Sequence, residues 1–198
     1  GMLFNGWWVD RRFAAGRVRT RHGVLPDKCV EDARSAVRWI RANSAALGVD
    51  PDRIIAGGGS AGAHVAACTA IPGAPDSDAD DLRISCIPNG LILCFPVASL
   101  MDDTRASSFQ ALLGRETANL LSPARQVAKS WPPTVLFYGT ADRLLPGGVL
   151  LHNNARQVGS MCEMYLAEGQ GHGFVNAEPW NVVSAKYAAD FFMRAGVL

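Results

Sequence analysis

Nine consecutive residues, Ile54-Ile55-Ala56-Gly57-Gly58-Gly59-Ser60-Ala61-Gly62, restrict the possible folds more than any other stretch of this chain. A β-branched apolar run ends in glycines and passes without a linker into a small-residue helical pattern over residues 61–71. A strand that turns directly into a helix must let the two backbones approach closely, and glycine permits that. The same alternation continues along the chain. Pro26-Asp27 opens a helix expected over 28–46, with Val30, Ala33, Val37, Ile40 and Leu47 at helical spacing before Gly48. Short buried strands are expected at 53–58, 91–95, 134–139 and 162–167, with helices at 147–158 and 178–194. Residues 72–81 read as an acidic loop, and 99–131 as short helices and loops. Strands separated by helices imply parallel β-α-β units with right-handed crossovers. The expected fold class is therefore α/β, a mostly parallel open sheet flanked by helices and covered on both faces. With 198 residues and no repeat, the chain is expected to be a single domain over 1–198.

Composition narrows the function classes. Nineteen Lys+Arg against eighteen Asp+Glu leave a net charge of +1, which supplies no basic field for a nucleic-acid backbone. The longest uncharged runs are broken by glycines and prolines, so no membrane span is expected. The five cysteines (Cys29, Cys68, Cys86, Cys94, Cys162) form no C-x-x-C pair. They read as reduced, mostly buried thiols rather than a disulfide framework or a zinc site. Reduced thiols and the lack of a recognisable leader favour the cytoplasm, unless an export signal has been lost with the amino terminus.

Within the nine-residue stretch, Gly58-x-Ser60-x-Gly62 lies between an expected strand and an expected helix, the context of a nucleophile elbow. There the serine takes a strained backbone conformation, with Gly58, Gly59 and Gly62 giving room around it. Its hydroxyl would project from the carboxyl end of the sheet, with a helix amino terminus behind it to favour developing negative charge. Two rival readings remain. Gly57-x-Gly59-x-x-Gly62 satisfies a bare dinucleotide pattern, although no strand-end acid follows at the right distance and no lysine makes it a P-loop. The serine could also be a structural turn residue.

A serine hydroxyl needs a base to take its proton and an acid to orient that base. Asp142 follows the third strand in Tyr138-Gly139-Thr140-Ala141-Asp142, and His172 follows the fourth in Gly169-Gln170-Gly171-His172-Gly173. Taken alone, Asp142 could be a turn or cap residue, and His172 has no assured role. Together they give the order Ser, Asp, His with each group past a strand end. The other histidines are weaker candidates. His64, one helical turn beyond Ser60, is expected to be buried and hydrogen-bonded; His152 is expected on a helix surface, and His22 in a structural loop. Asp102-Asp103 reads as a solvated loop pair, with a replacement acid or a metal ligand as the alternative.

In combination these motifs resemble the α/β-hydrolase superfamily, in its carboxylesterase branch similar to hormone-sensitive lipase. Four blocks carry the resemblance: the Pro26–Ala33 segment running into Ala36-Val37-Arg38-Trp39-Ile40-Arg41; Asp50-Pro51-Asp52-Arg53-Ile54; Gly58-Gly59-Ser60-Ala61-Gly62-Ala63-His64; and the pair Gly139-Thr140-Ala141-Asp142 with Gly171-His172-Gly173-Phe174. The resemblance implies Ser60 as nucleophile, Asp142 as acid and His172 as base, with the main-chain N–H of Ala61 as one oxyanion donor. It implies a small-molecule ester as substrate, and no metal or other cofactor.

The chain departs from that family at its start. Members carry several strands and a His-Gly-Gly-Gly-type loop ahead of the first helix, whereas His22-Gly23-Val24-Leu25 is not such a loop. Gly16-Arg17-Val18-Arg19-Thr20-Arg21-His22 resembles the tail of the last of those strands. The chain thus reads as an α/β-hydrolase lacking its first strands, from a short gene or a misassigned start, with 1–25 an atypical substitute. Loss of an oxyanion donor typically costs about 10²–10³ in rate. Two functions follow as expectations: an ester hydrolase acting through an acyl-enzyme, or a catalytically impaired hydrolase-like binding protein. Peptidase or other acyl-transfer chemistry is a third. The open sheet edge is expected to be covered by residues 3–13 or paired in a homodimer.

Overall fold

A computed structural model describes residues 24–198. Its sheet has four strands, β1 (Ile55–Gly59), β2 (Gly90–Cys94), β3 (Thr134–Gly139) and β4 (Cys162–Ala167), in the spatial order of the sequence. All three pairings are parallel. Gly59 lies level with Cys94, and Cys94 with Phe137, so the carboxyl ends of neighbouring strands form one rim.

The helices are α1 (Pro26–Ala42), α2 (Ser44–Leu47), α3 (Ala61–Cys68), α4 (Ala106–Leu113), α5 (Arg115–Leu120), α6 (Leu145–Gln157) and α7 (Trp180–Arg194). Leu91, Leu93, Val135, Leu136, Phe137 and Tyr138 are buried in the middle strands, as expected for a parallel sheet covered on both faces. The α7 residues Phe191 and Phe192 join the same core.

Several boundaries differ from the sequence-based expectations for local reasons. The expected 28–46 helix begins earlier, because Pro26 fits the first helical position, and it breaks at Asn43. Both the main-chain N–H and the side-chain Nδ2 of Asn43 donate to the Trp39 carbonyl, at 3.0 and 2.8 Å, and this double claim ends the helix. Helix α3 stops at Cys68 rather than residue 71, where Thr69 Oγ1 donates to the Ala66 carbonyl at 2.6 Å. β1 starts at Ile55, since Arg53 is held in a turn by the Asp50 carbonyl, and it extends through Gly59.

Two arginines on the buried face of α1 fasten the acidic loop. Arg34 grips Asp76 with two bonds, Nε–Oδ1 at 2.7 Å and Nη2–Oδ2 at 2.9 Å, and donates to the Thr69 and Ile71 carbonyls. Arg38, one turn on, reaches both Asp76 (2.6 Å) and Asp80 (2.9 Å) and the Ile84 carbonyl. The Arg34 hydrogen bonds, outweighing burial, hold the Asp76 carboxyl down at about 2.

Residues 3–13 and most of the atypical 1–25 segment lie outside the described residues, as does His22. Among the described residues β1 is an edge strand, and no helix is long and apolar enough to cross a membrane.

Candidate active site

Ser60 sits between β1 and α3 with φ 55° and ψ −117°, a strained conformation for a residue with a side chain. Its N–H is fixed by the Cys94 carbonyl at 2.9 Å, and its own carbonyl accepts the His64 N–H at 3.0 Å. Gly58 makes this turn possible: a Cβ there would lie 2.7 Å from the Gly62 carbonyl carbon. Ala61 opens α3, so its N–H belongs to the first turn and has no acceptor within the helix.

Asp142 leaves the end of β3 in a tight turn, its N–H bonded to the Gly139 carbonyl at 3.0 Å. Its side chain is fully buried, and Oδ1 accepts the Leu144 N–H at 3.0 Å. The loop after β4 crosses close above: a Cβ on Gly139 would lie 2.0 Å from the Gln170 carbonyl oxygen. Ala141 N–H also bonds to that oxygen at 3.0 Å. That backbone contact joins the two loops and presents His172 to its neighbours. His172 Nδ1 is 2.8 Å from Asp142 Oδ2, and Nε2 is 2.9 Å from Ser60 Oγ. The structure therefore brings Ser60, Asp142 and His172 into one hydrogen-bonded line at the rim. With Nδ1–H donating to Asp142, Nε2 is left to accept the Ser60 hydroxyl.

One residue of the site escaped sequence reasoning. Phe95, just past β2, has φ 43°, unusual for an aromatic residue. Its ring meets the His172 imidazole edge-on at 4.7 Å between centroids, and a Cβ on Gly59 would lie 3.2 Å from it. It is a spacer between the serine strand and the histidine loop. In the sequence it reads as the last residue of the strand expected at 91–95, whereas β2 ends at Cys94.

His64 is buried beneath the elbow, with Nε2 2.7 Å from the Leu121 carbonyl. Burial pushes it down to about 4 despite that hydrogen bond. His152 is half exposed on α6. The Asp102-Asp103 expectation needs correction. Asp102 is partly exposed and paired with Arg125, but the Asp103 side chain is only 3% exposed. Asp103 accepts Arg105 Nε at 2.8 Å and Nη2 at 3.2 Å, and Arg143 lies 3.9 Å away. Burial would raise Asp103, but the Arg105 hydrogen bonds and the two positive charges leave it below its ordinary value. Asp103 is a buried ion-pair residue rather than a solvated one. Burial raises the thiols of Cys94, to about 11, and Cys162, to about 12. Among the described residues, no group of three or more His, Cys, Asp or Glu is arranged to hold a metal ion.

The BD-FAE family profile matches residues 17–149. The chain belongs to the BD-FAE family. Solved structures of Thermogutta terrifontis esterase 2 are similar to it: one, phosphoramylated by tabun, is 36% identical with a TM-score of 0.81, covering 92% of this chain and 70% of that one. Another contains butyrate, with 34% identity and the same coverage and TM-score. The isoprenylcysteine alpha-carbonyl methylesterase of Arabidopsis thaliana is 28% identical over 171 residues, 76% of this chain and 40% of that protein. Endo-1,4-beta-xylanase B of Butyrivibrio fibrisolvens is 32% identical over 123 residues, 59% of this chain and 19% of that protein. This BD-FAE chain thus spans less than half the length of these two curated relatives. The fold is that of the α/β-hydrolases, and the resemblance read from the sequence holds at the level of α/β-hydrolase esterases.

Proposed function

We propose that this BD-FAE chain hydrolyses carboxylic esters through an acyl-enzyme on Ser60. The single observation that carries the reading is the continuous line from Ser60 Oγ through the His172 imidazole to Asp142, with bonds of 2.9 and 2.8 Å. Esterases among the similar structures support it. In this reading Ser60 Oγ attacks the ester carbonyl carbon while His172 Nε2 takes the hydroxyl proton. The carbonyl oxygen becomes an oxyanion facing the Ala61 N–H at the start of α3. Collapse breaks the bond to the leaving oxygen, which carries off the proton from His172. Water then attacks the acyl carbon, giving a proton to the same nitrogen, and collapse releases the acid and returns the proton to Ser60. Asp142 fixes the imidazole with Nδ1 protonated and stabilises its transient cation.

A serine-reactive fluorophosphonate probe, run beside turnover of p-nitrophenyl acetate, tests the proposal. The expected result is labelling at Ser60, with both labelling and turnover lost in Ser60→Ala. A folded wild-type protein that neither labels nor turns over ester would instead favour the catalytically inert binding protein.

A further inference from the structure

A small cavity opens beside the nucleophile, about 40 Å³ in volume, lined by Ser60, Ala61 and His64 together with Val97, Leu100 and Phe109. Val97, Leu100 and Phe109 are nearly or wholly buried. Arg105 also lines it. The guanidinium of Arg105 sits over the Phe109 ring, 5.2 Å from its centroid, and the buried Asp103 carboxylate grips it at Nε and Nη2. Stacking and a two-point grip together fix a side chain that would otherwise be long and mobile.

Taking the ester-hydrolase reading as the starting point, the chemistry decides which half of the substrate enters here. The leaving oxygen must face His172 to receive its proton, so the alcohol extends on the His172 side. Among the described residues, Ser60 and Ala61 line the cavity and His172 does not. The cavity therefore faces the acyl substituent. A water-sized group needs at least about 10–15 Å³ of such space, so there is room for about three carbons beyond the carbonyl.

We infer that Arg105, clamped on Phe109 by Asp103, is the end wall of the acyl pocket and restricts the substrates to esters of short, unbranched acids up to about butyrate. A longer chain meets a guanidinium that cannot swing aside without leaving the buried Asp103 carboxylate short of a partner. An aromatic acyl group does not fit.

The test is a series of p-nitrophenyl esters from acetate to octanoate, plus benzoate, on the wild-type protein and on Arg105→Ala and Asp103→Asn. In the wild type, kcat/KM is expected to fall at least about tenfold between butyrate and hexanoate. Arg105→Ala should raise the hexanoate-to-butyrate ratio by at least about tenfold, and Asp103→Asn should move it the same way by less. At fixed acyl group, the preference among different alcohols should not change. A merely structural role for Arg105 would lower all acyl esters alike. A wild type equally active on octanoate and butyrate overturns the inference without any variant. An unchanged ratio in folded Arg105→Ala overturns it too, and if that variant does not fold, an unchanged ratio in Asp103→Asn does so. These outcomes differ from failure of the underlying reading, in which acetate is not turned over and the fluorophosphonate probe leaves Ser60 unlabelled.

Discussion

Two polar clusters tie together distant parts of this chain in opposite ways. The clasp under α1 is redundant: two buried arginines share Asp76, and main-chain carbonyls take further N–H groups, so no single bond carries the junction. The line at the sheet rim has no redundancy. Ser60, His172 and Asp142 are joined by one bond at each link, and the His172 side chain is 42% exposed. A structural junction gains from many fixed charge-assisted bonds. In the proposed mechanism the rim line is a proton relay, which needs a single, open pathway whose middle member can change partners. The comparison predicts that rim variants lose activity while keeping stability, and clasp variants do the reverse.

The largest expected effect is at the rim. Ser60→Ala and His172→Ala should each lower kcat by about 10⁴–10⁶, and Asp142→Asn by about 10⁴, with the double variants little worse than the singles. Thermal unfolding of Ser60→Ala should stay near the wild type; a large loss of stability there would break the comparison. Gly58→Ala is expected to cross the boundary. Its Cβ would press on the Gly62 backbone, displacing α3 from β1 and costing both turnover and about 1–3 kcal/mol. Denaturant titration beside the ester assay reads both effects.

The pH dependence of stability should differ between a buried histidine and a partly exposed carboxylate. His64 is held at about 4 when folded against about 6.5 unfolded. Its contribution is complete above pH about 6.5 and is lost as pH falls toward 4, by up to about 3 kcal/mol. His64→Gln should flatten stability over that window; an unchanged profile would show that another group titrates there. Asp76→Asn should cost about 2 kcal/mol at neutral pH while kcat per folded molecule is unaffected. Because the Asp76 carboxyl is held at about 2, the difference from wild type should persist to pH about 4 and shrink only toward pH 2. Equal loss of activity and stability in this variant would dissolve the distinction.

Much of the scaffold was legible in the sequence because parallel strands buried on both faces are written as apolar runs. Thr134–Gly139 and Cys162–Ala167 were read to the residue. The breaks at Asn43 and Thr69 were not, since they depend on side chains competing for carbonyls three or four residues back. Ser60, Asp142 and His172 were nominated because each follows a strand and the topology carries strand ends to one rim. Phe95 was invisible, because a positive φ at an aromatic residue is imposed by neighbours distant in sequence. The burial of Asp103 and the Arg34–Arg38 clasp were missed for a related reason. An arginine–aspartate pair looks like a solvated surface until the partner segment folds over it, although Arg34 and Arg38 at helical spacing opposite an acidic loop did hold a signal.

The order of the strands also works as a gauge. The serine hangs from β1 and the acid from β3, with β2 between them. Neighbouring strands stand about 4.8 Å apart, so the gap is close to 10 Å. An imidazole hydrogen-bonded at both edges, at 2.8 and 2.9 Å, covers most of that width, and the serine and aspartate side chains supply the remainder. In this sheet, strand spacing thus sets how wide a side chain must be to join the serine to the aspartate.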